Sequence, residues 1–264
     1  MSLLKVTVLG CGGSGGVPLL GGADHRGAWG FCDPTEPRNR RTRSSIVVQA
    51  ADGTTLLVDA GPDLRAQLLA NGIGRIDAVL LTHAHADHVL GIDELRIMNR
   101  IMGQQLPLYA TERTLAEVTR RFDYAFRPPT PGFFRPSLEA RSVEPGQVVE
   151  IAGFGVRLFS QDHRVMETLG LRIGDFGYST DVVEMPEPGF TALAGVQDWM
   201  VGCFQRAPHP VHAHVEKAVA WAERIGARRT VLTHMGPDLD WQWMQGALPA
   251  GVEPGFDGMV LETA

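Results

Sequence analysis

Residues 77–88 read DAVLLTHAHADH, an apolar and branched run that stops at Thr82 and is followed at once by His83, His85, Asp87 and His88. The run has the composition of a short buried strand. In an extended chain alternate side chains point the same way, so His83, His85 and Asp87 share one side. His88 swings toward them as the chain turns into a helix near Gly91. One loop thereby offers four ligand-type side chains. Imidazole and carboxylate without thiolate suit Zn, Mn or Fe in a site that keeps positions open for water and substrate. A polar turn that merely caps the next helix leaves this density of histidine unexplained.

A single ion does not use all four side chains of so short a loop, which predicts a paired centre and further ligands elsewhere. Three candidates stand where apolar runs end: His163 after VRLFSQD, Asp181 after FGYST and His234 after RRTVLT. Strand ends gathered along one edge of a sheet bring such distant positions together. Around them, strands are expected at 4–9, 45–50, 54–59, 106–110, 155–161, 171–180, 198–203 and 229–233, and helices at 91–102, 112–124 and 214–226. The order is mixed α/β. With no linker or low-complexity tract, residues 1–264 are expected to form one domain. The exception to regular structure is FDYAFRPPTPGFFRP, residues 122–136, whose prolines exclude an interior helix or strand. It is expected to be an ordered excursion that covers a site or forms the contact of a homodimer.

A second glycine-rich signal, VLGCGGSGGVP at residues 8–18, matches G-x-G-x-x-G through Gly10, Gly12 and Gly15 and follows a strand. A dinucleotide cradle needs a helix to begin inside that loop. Here Val17, Pro18 and the pair Gly21-Gly22 break any helical period, and no P-loop lysine is present.

The chain has 264 residues, 44% of them hydrophobic, enough to bury a large core. A net charge of -6 argues against a broad basic face for duplex nucleic acid. Cys11, Cys32 and Cys203 are three, far apart and without a C-x-x-C pair, so no disulfide framework is expected. The N-terminal residues lack the regions of a signal peptide, and no apolar run reaches the length of a membrane span. A cytoplasmic protein with no membrane partner is the expectation.

Taken together, LGCGGSGGVP, RNRRTRSS, LLVDAGPDLRAQLL, LTHAHADH, GIDELR, GYSTD, PHPVHAHV and VLTHMGPD make the chain resemble the metallo-β-lactamase superfamily, and within it the PhnP-like phosphodiesterase branch. The resemblance implies an α/β fold, a four-layer αββα sandwich. It implies two divalent ions, Zn or Mn, with His83, His85 and His163 on one, Asp87, His88 and His234 on the other, and Asp181 between them. Asp59 would steady the ligand loop, and His212, at the branch's non-ligand histidine, would be the general acid. His212 and Asp87 are thus the expected catalytic side chains. The implied reaction is attack of a metal-bridging hydroxide on a small, even cyclic, phosphodiester or a nucleotide. Arg43 and Ser14 are candidate substrate contacts, since guanidinium matches phosphate. His209, His214 and Arg38 to Arg41 receive no role. The glycine loop becomes a tight crossing beside the metal rim.

The same metal site on this fold also hydrolyses thioesters and lactones, and a non-catalytic scaffold of cofactor biosynthesis shares it, so both alternatives stand. One departure is notable. The branch carries a structural zinc held by cysteines after the glycine loop and by a histidine three residues beyond the last ligand. Here only Cys32 and Pro237 occupy those places. Packing by Trp29 and Phe31 is expected to replace that clip, with a degraded site of His25 and Cys32 as the alternative.

Overall fold

The computed structural model describes residues 3–128 and 137–263. The first sheet contains β1 (Leu4–Gly10), β2 (Ser45–Gln49), β3 (Thr55–Val58), β4 (Ala78–Leu80), β5 (Leu106–Ala110) and β6 (Leu138–Ser142) in that spatial order. The second contains β7 (Val148–Ile151), β8 (Phe154–Asp162), β9 (Glu167–Ile173), β10 (Phe176–Ser179), β11 (Asp198–Gly202), β12 (Arg229–Thr233) and β13 (Val252–Pro254). The last strand, β14 (Val260–Thr263), returns to the first sheet and pairs with β1. In both sheets three antiparallel pairings are followed by three parallel ones.

Period-two alternation decides which side chains go where. Ile46, Val48, Leu56 and Val58 join the core between the sheets, while Val47 and Leu57, one residue out of phase, face the outer layer. That layer is α1 (Leu64–Ala70), α2 (Ala86–Val89), α3 (Leu95–Met102), α4 (Glu112–Arg121) and α5 (Asp123–Phe126), with Leu64, Leu95, Leu115 and Val118 buried against the sheet. On the other side α6 (Glu187–Leu193) and α7 (Val215–Ile225) cover the second sheet through Phe190, Leu193, Trp221 and Ile225, and α8 (Trp241–Ala247) closes the end beside β13. This is the expected four-layer αββα sandwich.

Two expectations are corrected. Residues 171–180 are a hairpin rather than one strand, because Gly174, at φ 55, reverses the chain between β9 and β10. The segment 122–136 begins as a helix, α5, whose Ala125 is buried and whose Phe122, Tyr124 and Phe126 lie against the outer core. Its prolines start only at Pro128, which is why the helix could form; residues 129–136 lie outside the described residues. No helix among the described residues is long and apolar enough to cross a membrane.

Pairing directions carry the fold's consequence for function. Since β2 runs antiparallel to both β1 and β3, and β4 parallel to β3, the strands β1, β3 and β4 all end at one rim. By the same logic β8, β10, β11 and β12 end together in the second sheet. Asp59, His83, His163, Asp181 and His234 follow these ends.

Candidate metal centre

Each of these side chains is aimed by the backbone just past its strand. Asp59, Asp181 and His234 sit at φ 63, 48 and 53, a left-handed conformation that aspartate and histidine tolerate better than most residues. Three such residues at one site indicate local backbone strain held by the surrounding fold. His83, His88, His163, Asp181 and His234 are buried, Asp87 nearly so, and His85 is half-buried.

The two oxygens of Asp181 face different partners. Oδ1 lies 4.0 Å from His83 Nε2, 3.6 Å from His163 Nε2 and 3.8 Å from His212 Nδ1. Oδ2 lies 3.0 Å from His88 Nε2 and 3.2 Å from His234 Nε2. Asp87 Oδ2 completes the second group, 3.2 Å from His88 Nε2 and 3.5 Å from His234 Nε2. One ligand atom each from His83, His85, His163 and Asp181 falls within a 4.8 Å cluster, as does one each from Asp87, His88 and His234. A third such cluster, Asp181, His212 and His234, includes the expected general acid.

These residues fit divalent cations. The Nε2 atoms of His83, His88 and His234 are buried and accept or donate no hydrogen bond. Unpartnered polar atoms of this kind are costly in a folded interior unless something charged binds them. Every ion pair of Asp87 and Asp181 among the described residues is with histidine, none with lysine or arginine. Burial opposes ionisation of Asp181, but His234, His88 and His83 outweigh it and hold the carboxyl well below its usual range. For Asp87 burial is outweighed in the same way by the adjacent imidazoles of His234 and His88. Burial pushes His83 far down, and it stays neutral, the form that ligates.

A supporting layer orients the imidazoles. Asp59 accepts from the Thr82 amide and hydroxyl at 2.8 Å each and from His88 Nδ1 at 2.7 Å, which leaves Nε2 of His88 facing Asp87 and Asp181. His163 Nδ1 donates to the Val211 carbonyl at 2.7 Å, directing its Nε2 inward. The Thr180 hydroxyl donates to Asp181 Oδ2 at 2.8 Å, and Arg121 Nη1 donates to the Ala84 carbonyl in the ligand loop. Thr82, Thr180, Val211 and Arg121 carry no sequence signature, because backbone carbonyls and common hydroxyls are everywhere. Thr82 and Thr180 did sit beside flagged ligands.

The remaining candidates divide. His212 is largely buried, and burial, followed by the nearby His234, pushes it down to about 3. Ser14 is exposed at the rim, next to Gly13. Arg43 Nη1 is tied to both oxygens of Asp63 at 3.1 Å, so much of its charge is met internally. His209 stacks on His212 and packs at a tilt against Phe204, while His214 opens α7 without a capping bond. Arg38 pairs with Glu36, and Arg40 lies over Trp29.

The glycine loop is the crossing that the resemblance implied. Gly13 donates to the Met235 carbonyl and Met235 to the Cys11 carbonyl, so the loop runs side by side with the residue after His234. A Cβ at Gly13 would stand 2.8 Å from the Phe204 ring, so a larger residue there would have to displace that ring. Arg41 is buried, unlike its neighbours in the basic run. It donates to the carbonyls of Leu239 at 2.7 Å and Gly236 at 3.4 Å, and lies 3.9 Å from Cys32 Sγ. The expected packing by Phe31 is corrected: its side chain is exposed beneath Arg206, and Arg41 fills the position instead. A cavity of about 620 Å³ between β8 and α6 contains none of the candidate residues.

Two sheets whose rims gather a histidine–aspartate cluster suited to divalent cations define a metallo-β-lactamase fold with a candidate metal centre. Residues 54–235 match the Beta-lactamase superfamily domain, and the chain belongs to that superfamily, in its PhnP-like branch. It is similar to the crystal structure of a new diphosphatase from the PhnP family, with a TM-score of 0.87 and 34% identity over 99% of this chain and 97% of that one. It is 31% identical to an octanoyltransferase of Porphyromonas gingivalis (strain ATCC BAA-308 / W83) over 97% of this chain and 51% of that protein. With a ribonuclease Z of Bradyrhizobium sp. (strain ORS 278) it shares 34% identity over 51% of this chain and 44% of that protein. The chain therefore spans about half the length of these two curated relatives.

Proposed function

We propose that this domain is a binuclear phosphodiesterase acting on small phosphodiesters or nucleotides. What carries the reading is Asp181, whose oxygens each turn to a separate set of imidazoles. In this reading His83, His85 and His163 would hold one ion, Asp87, His88 and His234 the other, and Asp181 would serve both. Two divalent ions, zinc or manganese, supply Lewis-acid charge for the phosphate oxygens and an activated water. The ring of His212, with Nδ1 3.8 Å from Asp181, passes a proton to the leaving oxygen. An anionic phosphate beside it offsets the burial that keeps it neutral. Arg43 and Ser14 contact the substrate at the rim. Similarity to a PhnP-family diphosphatase and a ribonuclease Z supports phosphorus as the electrophile.

The test is turnover of bis(p-nitrophenyl) phosphate against a thioester and a lactone on zinc- or manganese-reconstituted protein. Faster acyl hydrolysis would favour the second reading, which the similarity to an octanoyltransferase keeps in view. His212→Ala should keep both ions yet lose about 10²- to 10⁴-fold in rate on a diester with a poor leaving group, and less on nitrophenolate. Loss of an ion would make His212 a ligand, as its cluster with Asp181 and His234 permits.

A further inference from the structure

The imidazole rings at the rim form a row: His85, His163 and His212 follow one another at centroid distances of 5.2 and 4.7 Å. Beyond His212 the row ends in a triangle. Phe204, His209 and His212 lie 4.9, 5.0 and 5.1 Å apart, and both Phe204 and His209 present near-parallel faces to His212. All three keep some exposure to solvent, His212 more than the rings it touches at the metal cluster. The metal reading uses neither Phe204 nor His209.

The Val211 amide donates to His209 Nδ1 at 3.4 Å, which makes Nδ1 the acceptor and leaves the ring's proton on Nε2 as an outward donor. The same residue's carbonyl holds His163. One residue therefore contacts both a ring at the metal cluster and a ring at the rim. Gly13 and Gly236 bring the neighbouring backbone against the Cδ2–Cε2–Cζ edge of the Phe204 ring and keep it free of side chains.

At the other end of the row the surroundings are different. A cavity of about 240 Å³ beside Ala84 and Met166 is walled by Glu112, Glu117, Glu144 and Glu167, with Arg113 and Arg121 paired to Glu117 and the other three acids in excess. A long polyanion crossing the whole site would meet these carboxylates. A small diester that places its leaving group on the His212 side would not.

We infer that Phe204 and His209 form a stacking subsite for a planar leaving group, a nucleoside, which the phosphodiester places beside His212. The inference rests on the phosphodiester reading of this site. An aromatic face takes up any nucleobase by stacking, and the Nε2–H of His209 meets an acceptor on its edge.

Equilibrium binding of AMP, ribose 5-phosphate and octyl phosphate to zinc-reconstituted protein tests it. AMP should bind about tenfold more tightly than ribose 5-phosphate, and Phe204→Leu and His209→Ala should each remove most of that preference. Metal content of the variants should not change. Equal binding of AMP and ribose 5-phosphate, a preference untouched by both substitutions, or tighter binding of octyl phosphate would overturn the subsite. The two readings fail separately. A preference for AMP that needs Phe204, without diester turnover, keeps the subsite and sinks the hydrolytic assignment. Turnover without the preference does the reverse.

Discussion

Asp59 shows how a single side chain decides the state of its neighbours. By taking the Nδ1 proton of His88 and both donors of Thr82, it ties the end of β3 to the ligand loop and commits His88 to offer Nε2. Removing it as Asp59→Ala should weaken metal binding about 10- to 100-fold, measured by competition with a chelator. Unchanged affinity would reduce Asp59 to a strand brace. Asp181→Ala should lower metal content and rate together, since two cations would face each other with less compensating charge. Full occupancy at normal rate would reject its bridging role. At this scale the acidic and imidazole positions were legible, because strand periodicity says where a run ends and chemistry says what a ligand is. The left-handed backbone that turns Asp59, Asp181 and His234 inward was not, since it follows from the fold around them.

Among elements, the segment after His234 shows a structural replacement. Arg41 donates to the carbonyls of Gly236 and Leu239, Asn39 accepts from the Trp241 amide, and Cys32 lies against the Pro237 carbonyl. The buried guanidinium thus joins the loop before β2 to the start of α8. Arg41→Met would leave the Leu239 carbonyl without its donor, while Gly236 keeps the Leu239 amide, at a cost of about 1 to 3 kcal/mol, measured as a fall in the urea midpoint of the metal-loaded protein. A variant as stable as the parent would show the clip to be dispensable. The proposed content is two ions per chain, and a third ion with a thiolate signature on cobalt substitution would restore a metal to Cys32. The basic run RNRRTR was visible in the sequence, but which arginine goes inside was not. Arg38, Arg40, Arg41 and Arg43 look alike until Leu239 and Asp63 are brought beside them.

At the level of the whole molecule, the C-terminal segment locks the crossing. Asp257 accepts from the amides of Cys11 at 3.0 Å and Thr42 at 2.7 Å and from the Thr42 hydroxyl at 2.6 Å, joining β1, the arginine loop and the approach to β14. The residue is half-buried, yet burial of its carboxyl outweighs these donors and pushes it up to about 6. A carboxyl raised above its unfolded value near 4 stabilises the fold fully below that value and loses the contribution as pH rises through about 6. The stability of the parent relative to Asp257→Asn should therefore fall by about 1 to 2 kcal/mol between pH 4 and pH 7. Comparing the two proteins at each pH cancels changes at the metal cluster; a flat difference would place the titration elsewhere.

The sequence by itself determined the candidate ligand types, their attachment to strand ends, the mixed α/β order and the exclusion of a nucleotide cradle, because each depends on periodicity, spacing or a residue's chemistry within a short window, while the αββα layering was legible only through the family resemblance. Tertiary structure alone decided the rest. The break of residues 171–180 at Gly174, the choice of Arg41 for the interior, the division of Asp181 between two donor sets and the rings of Phe204 and His209 beside His212 all join segments far apart in the chain. Such contacts arise from the parallel course of β3 and β4 in one sheet and β10 to β12 in the other, which brings the strand ends to one rim. No local pattern encodes a distance between residues 59, 88, 181 and 234; the packing of two sheets does.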